Sequence, residues 1–346
     1  MTLQTTQLIR AEYKISVEKL ASLAIVTFRI PDLSDPTKRA QLPPSQHKDL
    51  AASMLKGCAL LEQPLAVIQI LTAVYLAQLT GEDSYQDIAS RFSQTDDIAK
   101  YRQSLENLSA KSNTFVLGPE ALTLSGLFAE RECQTEKAKI LYIEAVERQR
   151  FKYIPGLRHP MQLPLPTPWN VLGYLLKSDK DPNVRAQAKT YFQQGALEGD
   201  DPLSYYEAAA FEDRSDPKWL QYTSKAAASG HRQATVDLAQ FYEEASVKRS
   251  PILADSKMRK TLNWLLGWRR GSAADLAREW LHAAAIMGHR PSMLRLADYK
   301  ESVHDFEGAK EYLRLMVAPR EDGQAEEWPR LAHMAKQRLT GIKQRF

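Results

Sequence analysis

Cysteine is nearly absent from this chain: Cys58 and Cys133 are the only two in 346 residues. That excludes a disulfide framework, and neither stands in a CxxC or Cys/His spacing that would hold a metal. Both are expected to be reduced, apolar core residues, which points to an intracellular protein, cytoplasmic or mitochondrial. Long apolar runs are missing too. The longest, PLAVIQILTAVYLAQLT at 64–80, has an apolar stretch of about 15 residues, short of the roughly 20 that a membrane-crossing helix needs. Gln69 and Gln78 lie on opposite sides of that helix, so it has no polar face, and the expectation is a helix buried on all sides. No integral membrane segment is expected. The N-terminal stretch, with a short apolar run at Ala21–Phe28 and Glu12 and Glu18 among its basic residues, resembles neither a secretory signal nor a strong mitochondrial presequence. Charge of one sign is lacking as well: Lys and Arg total 46 against 42 Asp and Glu, and the excess is spread along the chain, so no half is a polybasic arm.

Catalytic signatures are equally scarce. There is no GxSxG, no P-loop, no GxGxxG and no HExxH, so no residue is assigned as nucleophile, base or metal ligand and no cofactor is expected. Of the seven histidines, His231 and His289 sit at turns between helices and are read as turn structure. His282 shares a face with His289 but has no third ligand. The acid pairs Asp96-Asp97, Glu243-Glu244 and Glu326-Glu327 read as solvated helix surface.

What the sequence does contain is helical punctuation. Asp181-Pro182, Asp201-Pro202, Asp216-Pro217 and Ser250-Pro251 each place a capping side chain before a proline, a combination suited to a helix start. Between such marks apolar residues recur at three and four, while alternating strand-like runs are rare. The expectation is an all-α fold with helices over 16–28, 45–61, 64–80, 84–92, 97–110, 119–131, 135–151, 168–178, 182–198, 202–212, 217–229, 232–246, 252–267, 272–287, 291–302, 305–317 and 325–340. Residues 153–168 hold five prolines, a stiff connector that either straps a helical surface or separates modules. The domain reading is a helical region at 1–115, a helix pair at 116–152, the connector at 153–168 and a repeat region at 169–346.

Three segments align on a closing glycine: TYFQQGALEG (190–199), QYTSKAAASG (221–230) and EWLHAAAIMG (279–288). Eight positions before Gly199, Gly230 and Gly288 stand Tyr191, Tyr222 and Trp280. Four and three before come Gly195-Ala196, Ala226-Ala227 and Ala284-Ala285. A ring and a small residue one turn apart on one face fit two helices closely spaced, and a terminal glycine takes the left-handed conformation that ends a helix. The helices that follow carry Leu238-Ala239 with Tyr242, and Leu296-Ala297. These residues resemble the Sel1-like branch of the tetratricopeptide superfamily. Tyr222, Ala226, Ala227, Gly230, His231, Ala234, Leu238, Ala239 and Tyr242 carry the resemblance best. The first copy departs from it, with Asp200-Asp201-Pro202 after its glycine. Residues 124–149, with Gly126, Ala138, Tyr142 and Ala145, resemble an ordinary tetratricopeptide pair. The resemblance implies an α-solenoid of antiparallel helix pairs, a right-handed superhelix that binds proteins as scaffold, adaptor or assembly factor.

Gly199 to Gly230 spans 31 residues but Gly230 to Gly288 spans 58. The excess, about 248–271, reads KRSPILADSKMRKTLNWLLGWRRG, with seven basic residues against Asp255 alone. Insertions into solenoids map to one surface, often the binding one. The simplest expectation is that Trp264 and Trp268 fill the gap between repeats while the charges solvate the edge. The alternatives make Lys257, Arg259, Lys260, Trp264, Trp268, Arg269 and Arg270 a protein-binding patch or a site that tracks phosphates and stacks bases. A protein partner leads, an RNA-associated factor is the alternative, and an unrecognised hydrolase or transferase is the third class.

Overall fold

The computed structural model describes residues 7, 14–30, 46–81, 83–92, 95–111, 117–149, 163–247, 249–267, 271–318 and 327–343. Among them every regular element is helical and no strand occurs. The chain divides into two compact units, Met1–Tyr191 and Phe192–Phe346. In chain order the first holds α1 (Val17–Phe28), α2 (His47–Leu60), α3 (Pro64–Thr80), α4 (Asp83–Ser90), α5 (Thr95–Ala110), α6 (Gly118–Arg131), α7 (Thr135–Arg148) and α8 (Pro168–Lys177). The division falls within α9 (Pro182–Leu197). The second unit continues with α10 (Pro202–Ala209), α11 (Pro217–Ala228), α12 (Arg232–Ser246), α13 (Ser256–Leu265), α14 (Ser272–Ile286), α15 (Arg290–Ser302), α16 (Phe306–Val317) and α17 (Pro329–Lys343). Each expected helix is present. The one expected over 252–267 is split: Pro251–Leu253 forms a 3-10 turn, and Asp255 caps a separate helix by accepting from the Lys257 and Met258 amides.

α3 is the centre of the first unit. Every residue from Leu65 to Ala77 is buried, because α1, α2, α4, α5 and α6 all pack around it. A helix with no polar face is stable only when surrounded in this way. Gln69 is buried with the rest, and its Oε1 accepts from the Leu163 amide at 3.1 Å. The described end of the proline connector, 163–167, is therefore a strap: Leu163 and Leu165 are buried, and the strap satisfies the amide that the helix could not. No described helix is long and apolar enough to cross a membrane.

In the second unit α10 packs on α11, α11 on α12, α14 on α15, α15 on α16 and α16 on α17. The exception to chain order is informative: α12 packs extensively on α14, and the inserted α13 packs on α11 and on the 3-10 turn. Ala239 of α12 shares a core cluster with Leu281 and Ala285 of α14. Small side chains at this contact let the two backbones approach, and the helix stack continues as though the insertion were not there.

The turns between paired helices follow one rule. A residue in the left-handed conformation donates its amide to the carbonyl three back, and the next residue donates to the carbonyl five before itself, the Schellman motif. This occurs at Gly230-His231 (2.9 and 3.0 Å) and Gly288-His289 (2.9 and 3.0 Å), with φ of 87° and 83°. The same pair of bonds recurs at Glu62-Gln63, Cys133-Gln134 and His304-Asp305, whose first residues have φ of 55°, 60° and 62°. Cys133 is thus exposed at a helix end rather than in the core, where Cys58 is. The expectation for Cys133 is corrected by this turn.

The first copy is corrected as well. Gly199 is buried and does not adopt positive φ; Asp200 does, at 47°. Upstream the three copies agree, with Ala188, Trp219 and Ala277 buried eleven before the glycine and Phe192, Thr223 and Leu281 buried seven before. The amide of the capping residue reaches the same carbonyl in all three: Asp201 to Gly195 (3.2 Å), His231 to Ala226 and His289 to Ala284 (both 3.0 Å). In the first copy the turn holds one residue more. Aligned on the cap, Ala208-Ala209 falls opposite Leu238-Ala239 and Leu296-Ala297, all buried.

A left-handed residue other than glycine costs about 1–2 kcal/mol, partly offset by the entropy glycine loses on folding. Cys133→Gly, Glu62→Gly and His304→Gly are each expected to stabilise the chain by about 0.5–1 kcal/mol. Gly230→Val and Gly288→Val should each cost more than about 1 kcal/mol. Urea denaturation of the five variants checks both signs.

Candidate functional site

The insertion is built so that one face of α13 is spent on the fold and the opposite face is not. Met258 and Leu262, one turn apart, are buried. At 100° per residue, Lys257, Lys260 and Trp264 fall within about 60° of each other on the far side. Lys257, Arg259 and Lys260 are exposed. Trp264 is 80% exposed and its neighbour Leu265 48%. Trp264 therefore does not fill a gap between repeats, because α12 and α14 close that gap directly. Trp268, Arg269 and Arg270 lie outside the described residues. No ion pair or ring contact among the described residues involves Lys257, Arg259, Lys260 or Trp264. Asp255 is held at the start of the helix by the amides it caps (2.7 and 2.9 Å).

The repeat-signature residues do structural work. Ala226, Leu238, Ala239, Ala284 and Ala297 are fully or almost fully buried, as are Tyr222, Ala227, Tyr242, Ala285 and Leu296, while Tyr191 and Trp280 are half-buried at helix surfaces. Gly230 and Gly288 are exposed, and a Cβ at either would meet nothing, so conformation alone selects glycine there. Of the proline-associated caps, Asp181, Asp201 and Asp216 accept from helix amides and Ser250 does not. Glu243 and Glu244 lie on the solvated surface, where they pair with Arg295 of α15 and with Arg214 in the α10–α11 turn.

His231 and His289 are helix caps. Nδ1 of His231 accepts from the Ala234 amide at 3.2 Å, and Nδ1 of His289 from the Ser292 amide at 3.3 Å, with the Ser292 hydroxyl 2.7 Å away. The His231 ring stacks on Tyr206 with centroids 4.3 Å apart, and His289 meets Trp328 edge-on at 5.1 Å. Accepting at Nδ1 requires the neutral ring. Burial lowers both pKa values below the ordinary 6.5; around His231 the carboxylates of Asp237, Glu207 and Asp201 oppose this, while around His289 Arg232 and Arg295 reinforce it and Glu327 opposes it. The unfolded chain therefore takes up these protons first as pH falls. The stability the caps supply is complete above about pH 6.5 and declines as pH drops through the lower folded values. His231→Asn with His289→Asn, which caps without titrating, is expected to flatten the loss of melting temperature between about pH 7 and 5; calorimetry across that range measures it.

A cleft of about 400 Å³ opens between α5, α6 and α7. Four of its polar side chains pair with one another: Arg102 lies 2.5 Å from Glu132 and over the Phe128 ring, and the Ser109 and Ser125 hydroxyls are 2.8 Å apart. Among the described residues no cluster of His, Cys, Asp and Glu is placed to hold a metal ion. No protein-family model, curated protein or solved structure matches the chain.

Proposed function

We propose that this chain is a non-enzymatic helical-repeat scaffold of the Sel1-like, tetratricopeptide-type kind, binding partner proteins along the stacked helices of its second unit. The observation that carries the reading is the packing of α12 on α14 across a 24-residue insertion, numbered 248–271, with the same capped turn at His231 and His289 on either side. Such a stack offers a broad surface rather than a deep pocket, which suits a polypeptide better than a small substrate. Leu197 and Ile286, both two residues before the closing glycine of their copies, are 65% and 73% exposed. Large apolar side chains at equivalent, uncovered places fit contact points for a partner.

Affinity purification of the full chain with cross-linking tests this. A specific protein should be enriched, cross-linked to the second unit, and lost from Leu197→Arg/Ile286→Arg while melting is unchanged. Recovery of RNA instead, with affinity falling steeply with salt, would replace the reading by the nucleic-acid one.

A further inference from the structure

We propose that the exposed face of α13 docks the protein onto an anionic phospholipid surface, a role beyond the protein-binding reading and independent of it. Trp264 and Leu265, consecutive at the end of the helix but 100° apart around it, are 80% and 48% exposed, and Trp264 makes no ring contact or hydrogen bond among the described residues. Lys257 and Lys260 share the Trp264 face and Arg259 lies further round the helix; all three are exposed, and none is neutralised by a neighbouring carboxylate among the described residues. The acid of the insertion, Asp255, is turned to the helix start, where backbone amides hold it. Charge complementarity therefore calls for an anionic surface.

The shape of the patch selects among anionic partners. Nucleic acid would use the cations and stack on the tryptophan, but Leu265 would have no counterpart, and a strand normally needs a series of rings along a groove. A protein partner of ordinary size covers about 800 Å² on each side, far more than two side chains at the tip of a ten-residue helix. A bilayer sets no such minimum. Tryptophan and leucine enter the headgroup boundary, lysine and arginine stay with the phosphates, and the weak contributions add.

The experiment is sedimentation of the full chain with phosphatidylcholine vesicles, with and without phosphatidylserine. Binding is expected to be at least about tenfold tighter to the phosphatidylserine vesicles and to weaken as salt is raised. Trp264→Ala and Lys257→Glu/Lys260→Glu should each lower that binding about tenfold with unchanged helical circular dichroism. Equal binding to both vesicle types would overturn the proposal. So would vesicle binding that both variants leave intact, or Trp264-dependent binding of poly(U) RNA in the absence of vesicle binding. None of these outcomes bears on whether Leu197 and Ile286 hold a protein partner.

Discussion

Gly126→Ala is expected to lower the folding stability of the chain by about 2–3 kcal/mol. The cause lies in the α6–α7 pair. A Cβ on Gly126 would stand 2.3 Å from Cε1 and 2.6 Å from Cδ1 of Tyr142. The ring cannot swing away cheaply: Tyr142 is completely buried, and its hydroxyl donates to Glu130 at 2.9 Å. Burial and the Glu130 carboxylate both push its pKa far above the ordinary tyrosine value, so it remains a neutral donor. The glycine thus serves close approach of two helices, unlike Gly230 and Gly288, which serve conformation. Chemical denaturation measures the loss, and a cycle with Tyr142→Leu identifies its source. The clash predicts that the double variant loses clearly less than the sum of the singles; additive losses would mean that Gly126 matters for another reason.

Arg290→Met is expected to cost about 2–3 kcal/mol, within the range for buried hydrogen bonds to charged groups and for a cation at a helix C-terminus. Arg290 opens α15 but its side chain serves α16. The guanidinium is buried and donates to the Leu315 carbonyl and, at 2.7 Å, to that of Ala318, where α16 ends. Methionine keeps much of the apolar stem and removes the donors. Hydrogen exchange localises the effect: amides in the last turn of α16 should lose protection before those of α12. Uniform loss across the second unit would show that Arg290 contributes packing rather than a cap.

These two positions mark where sequence reading succeeded and where it stopped. Helices were legible because Asp-Pro starts, apolar spacing at three and four, and glycine stops are local signals. The burial of α3 on all sides followed from its lack of a polar face. The left-handed turn was legible at Gly230 and Gly288, where the residue advertises its conformation. It was invisible at Glu62, Cys133 and His304, because packing of the joined helices outweighs about 1–2 kcal/mol of strain without leaving a mark on the chain. The extra residue at Asp200 hid behind Gly199, a plausible glycine in the wrong place. Its trace was present in Asp201-Pro202, a cap displaced by one. Arg290 could not be found from its neighbours in sequence, since its partners are some 25 positions away. Trp264 was identified as a candidate, but whether it faced a neighbouring helix or solvent depends on α12 meeting α14 directly, a tertiary fact.

That direct meeting has an evolutionary corollary. The contact of α12 with α14 rests on Ala239, Leu281 and Ala285, while the outward chemistry of α13 sits on an insertion that this contact bypasses. Mutational drift on the exposed side of α13 is nearly free of thermodynamic penalty, whereas Ile252, Met258 and Leu262 are buried and are held by their packing. Orthologues should keep small residues where α12 meets α14, yet differ from one another, even to outright loss, across 248–271.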